Sequence, residues 1–229
     1  NQYKFASSLS VADRVRLHLV ALSVPLFSQG VPFIHLGSDI LRSKSMQRDS
    51  YDSGDWFNAV DFGYQDNNWN KGLPRADKDG DNWPLIRRII VDPQAEPGAA
   101  DIVTAKRRFL ELLKIRSDSA LFQLDNAREV QRRLQFHNTG PEQQPGVIAY
   151  SLADGPRAGR DLDPRYSSLM VVINASDKRV RLSGADGYRL HPLLEGSVDP
   201  IARQATVSSG EFEVPAFTTT VFVQAQTRR

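Results

Sequence analysis

From Arg42 to Asn58 the chain reads RSKSMQRDSYDSGDWFN, which sets two Arg, one Lys, three Asp, a Tyr, a Trp, a Phe and an Asn within seventeen residues. Asp49, Asp52 and Asp55 recur every third position, with Tyr51 among them and Trp56 and Phe57 directly after. Cleaving a glycosidic bond takes two carboxyl groups flanking it, and this stretch has carboxylates to spare. The plainer reading, favoured by spacing alone, is that Arg42, Arg48 and these Asp residues form an ion-pair network that stiffens a loop. Aromatic faces beside carboxylates and fork-shaped donors suit a ligand with many hydroxyls and apolar ring faces, as in a sugar chain.

A second polar run, Asp77-Lys78-Asp79-Gly80-Asp81-Asn82, has the look of a calcium loop. An EF-hand needs Gly at its sixth position and Glu at its twelfth, where this run has Asn82 and Arg88, so a polar turn whose Lys78 and Asp81 reach a ligand is the better reading. The four histidines, His18, His35, His137 and His191, lie far apart and show no metal spacing. No nucleophile elbow, phosphate loop or dinucleotide fingerprint occurs.

These residues need elements to position them. Ser10 is a good N-cap with Asp13 as its partner, and Val15, Leu17, Leu19, Val20, Leu22 and Val24 give a broad apolar helical face. Pro25 and Gly30 are expected to close that helix. Val31–Leu36 is then expected to be a short strand buried on both faces. A long irregular stretch from about Ser38 to Trp83 holds all three Trp (Trp56, Trp69, Trp83), and loops of that length are usually functional. A short helix over Pro84–Ile90 and a longer one over Ala99–Ser117 follow, the latter with Asp101 near its positive end. Helix, buried strand, long loop and helix together read as a piece of an α/β barrel.

After Leu121 the pattern changes to short β-branched or alternating runs: Val130–His137, Val147–Leu152, Leu169–Asn174, Arg179–Leu182, Phe212–Val214 and Thr218–Val223. Turn-rich segments separate them, and seven or eight strands in about 110 residues is the count of a small antiparallel β-sandwich. The expected domains are therefore 1–118 and 119–229.

Composition excludes several classes. A net charge of +2 spread over interspersed acids and bases gives no polyanion stripe, so nucleic acid is not expected as a partner. The absence of cysteine removes disulfides and thiolate chemistry. No apolar run reaches the roughly 18 residues of a membrane span, so no membrane partner is expected. Asn1–Phe5 has neither initiator Met nor signal-peptide pattern and reads as a cut from a longer polypeptide.

With those residues in view, GVPFIHLGSDILRSKSMQRDSYDSGDWFN followed by DNNWNKGLPRADKDGDNWPLI resembles the debranching enzymes of the α-amylase superfamily, the type I pullulanases and plant-type limit dextrinases. LLKIRSDSALFQL and VQRRLQFHNTGPEQQPGVIAY are similar to the same group, so the likeness covers essentially the whole chain. The resemblance implies a retaining glycoside hydrolase of α-1,6-glucosidic branch links in pullulan, limit dextrins and amylopectin. It implies a (β/α)₈ barrel followed by a C-terminal β-sandwich, with this chain starting after the catalytic carboxylates and their HDN motif. By that likeness it holds the last barrel elements and the sandwich, no catalytic residue and no metal ligand. Alone it is expected to be inactive, because a barrel lacking most of its strands cannot close.

By the same likeness Arg48, Asn58, Lys78 and Asp81 match positions that contact glucose units. Trp56 and Trp83 are expected to pack under the loop before they stack on sugar. Asp39 stands where the family usually has Glu and is not counted as a site residue. The implied partners are an α-glucan substrate and the remainder of the barrel. No cofactor is implied in this segment, and calcium is left to the parent protein. The compartment stays open, with an extracellular or periplasmic one favoured for a bacterial source. Two alternatives remain: a non-catalytic carbohydrate-binding or interaction module, against which the scattered Tyr150, Tyr166 and Tyr188 speak, and a fragment of an α-1,4-acting relative.

Overall fold

A computed structural model describes residues 9–52, 54–155 and 158–226. The Asn1–Phe5 start discussed above lies outside the described residues. The chain is a mixture of helices and antiparallel sheet that divides into two compact units. One runs to His18 and resumes over His35–Lys106; the other comprises Leu19–Ile34 and Arg107–Arg229.

Helix α1 spans Val11–Phe27. Its capping box forms as the sequence requires: the Asp13 amide donates to Ser10 Oγ at 3.1 Å and that hydroxyl donates back to Asp13 Oδ2 at 2.8 Å. Pro25 does not end the helix, which continues to Phe27. Gly30, at φ 93°, follows the helix end in a left-handed conformation that costs glycine little.

The expected strand over Val31–Leu36 is not formed, and with it the barrel end is not seen. Val31 is 81% exposed, Phe33 90% and Leu36 63%. A strand exists only through its ladder, and no strand of the described chain pairs with this segment.

In the first unit the long stretch is irregular, as expected. It contains short 3₁₀ turns at Ser38–Ile40, Trp56–Asn58 and Gly80–Asn82, a single turn α2 (Ala76–Asp79) and helix α3 (Trp83–Ile90). Its core is Met46 against Ile86, Ile89 and Ile90, flanked by Trp69, Leu73, Trp83 and Leu85. Both partly buried indoles find acceptors, Trp69 Nε1 on the Ile90 carbonyl at 3.1 Å and Trp83 Nε1 on that of Pro74 at 2.8 Å.

The second unit is built on the later part of α4 (Ala99–Asp118), on α5 (Ala127–Arg133), and on two antiparallel sheets. The five-stranded sheet has the order β1 (Leu134–Phe136), β2 (Val147–Ala153), β3 (Tyr166–Asn174), β8 (Thr218–Ala225) and β5 (Tyr188–Leu190). The other has β4 (Val180–Ser183), β7 (Glu211–Val214) and β6 (Thr206–Ser208). The sheets touch through Phe212 of β7, whose ring lies 4.9 Å from Phe222 and 5.2 Å from Tyr188. The expected strand over Val130–His137 is half wrong: Ala127–Arg133 is helical and only Leu134–Phe136 is extended. The helix starts because Asn126 Oδ1 accepts the Glu129 amide at 3.0 Å, an N-cap that fixes the first turn. Among the described residues no helix is long and apolar enough to cross a membrane.

Candidate functional site

The loop between Arg42 and Asn58 meets α2 in a crossed charge register. Arg48 forks onto Asp79, with Nε to Oδ2 at 3.2 Å and Nη2 to Oδ1 at 2.5 Å. One residue on, Lys78 Nζ lies 3.0 Å from Asp49 Oδ2. Arg75 extends the contact, with Nη1 on the Asp52 carbonyl at 2.5 Å while its other donors grip Asp77. Segments some thirty residues apart are thus joined by charges of both signs; these pairs run from the loop to α2, whereas the ion-pair reading placed them among Arg42, Arg48 and the Asp residues of the loop itself.

Burial is uneven across these pairs. The Asp79 side chain is 1% exposed and that of Arg48 is 48% exposed. Asn82 Nδ2 adds a third bond to Asp79 Oδ1 at 3.0 Å. The Tyr51 amide and then Lys78 hold the Asp49 carboxyl below its usual range. Arg75 does the same for Asp77. These carboxylates therefore stay ionised at neutral pH and accept hydrogen bonds rather than donate protons.

Of the four residues named from sequence, Arg48 and Lys78 come together through Asp79 and Asp49. Asp81 is exposed on the adjoining 3₁₀ turn. Asn58 is held separately: its amide donates to the Asp55 carbonyl at 2.8 Å and its carbonyl accepts from Arg42 Nη1 at 3.3 Å. Arg42 itself contacts the exposed His35 ring and fills the space beside Gly37. Trp56 is 43% exposed, edge-on to buried Phe57, and its six-membered ring would meet a Cβ at Gly72 at 3.0 Å. Its inner edge is packed and its outer surface is open. Sequence reasoning named Arg48 but missed its buried anchor Asp79. Three acids within 77–81 gave no local sign of which one would be buried against Arg48, 31 residues away.

A mainly apolar cavity of about 250 Å³ lies in the same unit, lined by Val15, His18, Leu41, Arg42, Asn67 and Trp69 among others. None of Arg48, Asn58, Lys78 and Asp81 lines it. Among the described residues no group of three His, Cys, Asp or Glu is placed to hold a metal ion.

Comparison with known proteins gives consistent matches. The family model described as alpha-1,6-glucosidases, pullulanase-type, C-terminal matches residues 64–225. Pullulanase 1, chloroplastic, of Arabidopsis thaliana is 44% identical over 232 residues, which cover 97% of this chain and 24% of that protein. A pullulanase of Klebsiella pneumoniae is 42% identical over 188 residues, covering 82% of this chain and 17% of the relative. The structure of Klebsiella pneumoniae pullulanase complexed with maltotriose superimposes on the whole chain with a TM-score of 0.92 at 36% identity, using 22% of that structure. The chain thus spans less than a quarter of the length of these relatives.

Proposed function

The chain belongs to the pullulanase-type α-1,6-glucosidases as their C-terminal part, and from that premise we propose that it works within a debranching glycoside hydrolase acting on α-1,6 links of pullulan, limit dextrins and amylopectin. The observation that carries the reading is the family match over 64–225, which takes in Lys78 and Asp81 and runs through both sheets, while Arg48 and Asn58 lie before it. A relative of the same fold bound to maltotriose supports an α-glucan ligand.

In this reading residues 1–118 complete a (β/α)₈ barrel and residues 119–229 form the supporting β-sandwich. The apolar run Val31–Leu36, exposed in the described chain, is where this reading puts a barrel strand, to be paired by strands from the rest of the protein. The carboxylates of retaining hydrolysis are supplied outside these 229 residues. The residues here grip glucose units: Arg48 and Lys78 donate to ring hydroxyls, Asp81 accepts from them, and Asn58 does both. Each acts as a binding group, so its loss raises KM rather than lowering kcat.

The test is steady-state pullulan hydrolysis by the full-length protein. Arg48→Ala and Asp81→Ala are each expected to raise KM roughly tenfold, the usual weight of one hydrogen bond to a charged group. Unchanged kinetics in both variants would remove these residues from the substrate site. The 229 residues alone are expected to release no reducing ends from pullulan.

A further inference from the structure

We infer that Asp79 is a positioning residue for substrate binding, a buried carboxylate that sets the orientation of the Arg48 guanidinium. The inference rests on the reading of Arg48 as a sugar contact given above. Asp79 closes the single turn α2, and its side chain is almost fully buried while its partner is half in solvent. Both carboxylate oxygens are engaged by Arg48 Nε and Nη2, and Oδ1 also takes the Asn82 amide.

An arginine on a surface loop samples many rotamers, and a ligand that uses it must freeze them. A two-point grip by a carboxylate fixes the guanidinium plane and hence the direction of every other N–H it carries. Asp79 is suited to this because it is buried and also bonded to Asn82. The next residues are held by Trp83, whose indole is bonded to the Pro74 carbonyl and whose ring packs on the isoleucine core. The neighbouring Lys78–Asp49 pair ties the same two segments a second time, so Arg48 and Lys78 are presented from one fixed frame.

The charge on Arg48 is also cancelled where it stands. A guanidinium already paired with a buried carboxylate offers directed donors with little net attraction for anions. That suits the neutral hydroxyls of an unmodified glucan.

The experiment compares KM and kcat for pullulan in the full-length protein for wild type, Asp79→Asn, Arg48→Ala, Arg48→Lys and the Asp79→Asn/Arg48→Ala double variant. Asp79→Asn keeps the shape and removes the charge. It is expected to raise KM roughly tenfold with kcat within about twofold. The double variant is expected to be no worse in KM than Arg48→Ala, because the effect of Asp79 on the substrate is transmitted by Arg48. Arg48→Lys, which keeps the charge and loses the fork, is expected to resemble Arg48→Ala. Multiplying effects in the double variant, or a silent Asp79→Asn beside a damaging Arg48→Ala, would overturn the positioning role alone. If Asp79→Asn does not fold, wild-type KM in Arg48→Lys would overturn it instead. An Arg48→Ala protein with unchanged KM would overturn the sugar-contact reading and the positioning role with it.

Discussion

Arg133 offers the sharpest test of what holds the second unit together. It ends α5 with only 1% of its surface exposed. Its Nε donates to Glu129 Oε2 at 2.8 Å, Nη1 to Asp154 Oδ1 at 2.6 Å and the Ala153 carbonyl at 3.2 Å, and Nη2 to the Arg160 carbonyl at 2.6 Å. The Asp154 side chain is itself fully buried and takes the Leu162 and Asp163 amides as well. One guanidinium therefore joins α5, the end of β2 and the loop before β3. Arg133→Met keeps the length of the stem and leaves Asp154 charged and buried without its cation. Breaking a buried pair from one side costs about 3–5 kcal/mol. The two amides still hold Asp154, which places the expected loss near the lower end, about 3 kcal/mol. At roughly 2–4 °C per kcal/mol for a chain of this size, Tm falls by about 6–12 °C. Thermal and urea unfolding followed by circular dichroism measure it. Adding Asp154→Asn to Arg133→Met should recover part of the loss, because the stranded charge is its cause. A loss below about 1 kcal/mol, the value of a solvated pair, would refute the reasoning. So would a double variant weaker than the single by the full effect of Asp154→Asn.

Two further outcomes follow from local geometry. His191, 2% exposed, accepts the Leu193 amide at Nδ1, so its neutral ring carries the proton on Nε2, 3.1 Å from Asp118 Oδ2. Burial lowers its pKa more than Asp118 raises it, so the unfolded chain binds a proton that the folded one refuses. Stability is then fully present above the ordinary histidine value of 6.5 and falls as pH drops below it, with a limiting slope of about 1.4 kcal/mol per pH unit; His191→Gln should flatten that slope, and parallel urea-midpoint profiles for the two proteins would reject the assignment. Burial alone would raise the Asp118 carboxyl, but Arg165 and His191 together hold it below its usual value, so its contribution is lost only at a lower pH than that of His191. Gly37 sits at φ 86°, where an added Cβ would come within 2.7 Å of Arg42 Cβ. Gly37→Ala should cost about 1–3 kcal/mol by urea unfolding, and a change under about 0.5 kcal/mol would show that this turn is not under constraint.

What could be read from sequence follows the reach of the signal. Helices α1 and α4 and strands β2, β3 and β8 are legible because each is long enough to show its period. The Ser10–Asp13 cap is legible because it is local. Strands β5 and β6 have three residues each, too few for any alternation to show. At 130–137 the β-branched and apolar residues hid a stronger local cue, Asn126 followed three residues later by Glu129. The run Val31–Leu36 has strand composition, but a strand is made by its partners and composition does not supply them. Asp79 was invisible for a similar reason. Its contact with Arg48 spans 31 residues, and nothing in either segment says which of several acids meets which of several bases.

The long loop is held in shape at some expense, and its placement explains why Arg48 can be precise. Among the described residues nine other than glycine have positive φ, and seven of them lie between Leu41 and Asn70. Each such conformation costs of order 1–3 kcal/mol and persists only where its surroundings impose it. Ser45 and Met46, consecutive at φ 49° and 67°, show what imposes it. Ser45 Oγ donates to the Gly72 carbonyl at 2.7 Å and accepts the Lys71 and Gly72 amides at 3.1 and 3.3 Å. Met46 is 1% exposed in the isoleucine core. Met46 packs in the core, and Arg48, two residues later, is half exposed and paired with Asp79. Ser45 and Met46 are the central pair of a turn closed by the Gln47 amide on the Lys44 carbonyl at 2.9 Å, and past it the chain passes from buried Met46 and Gln47 to half-exposed Arg48.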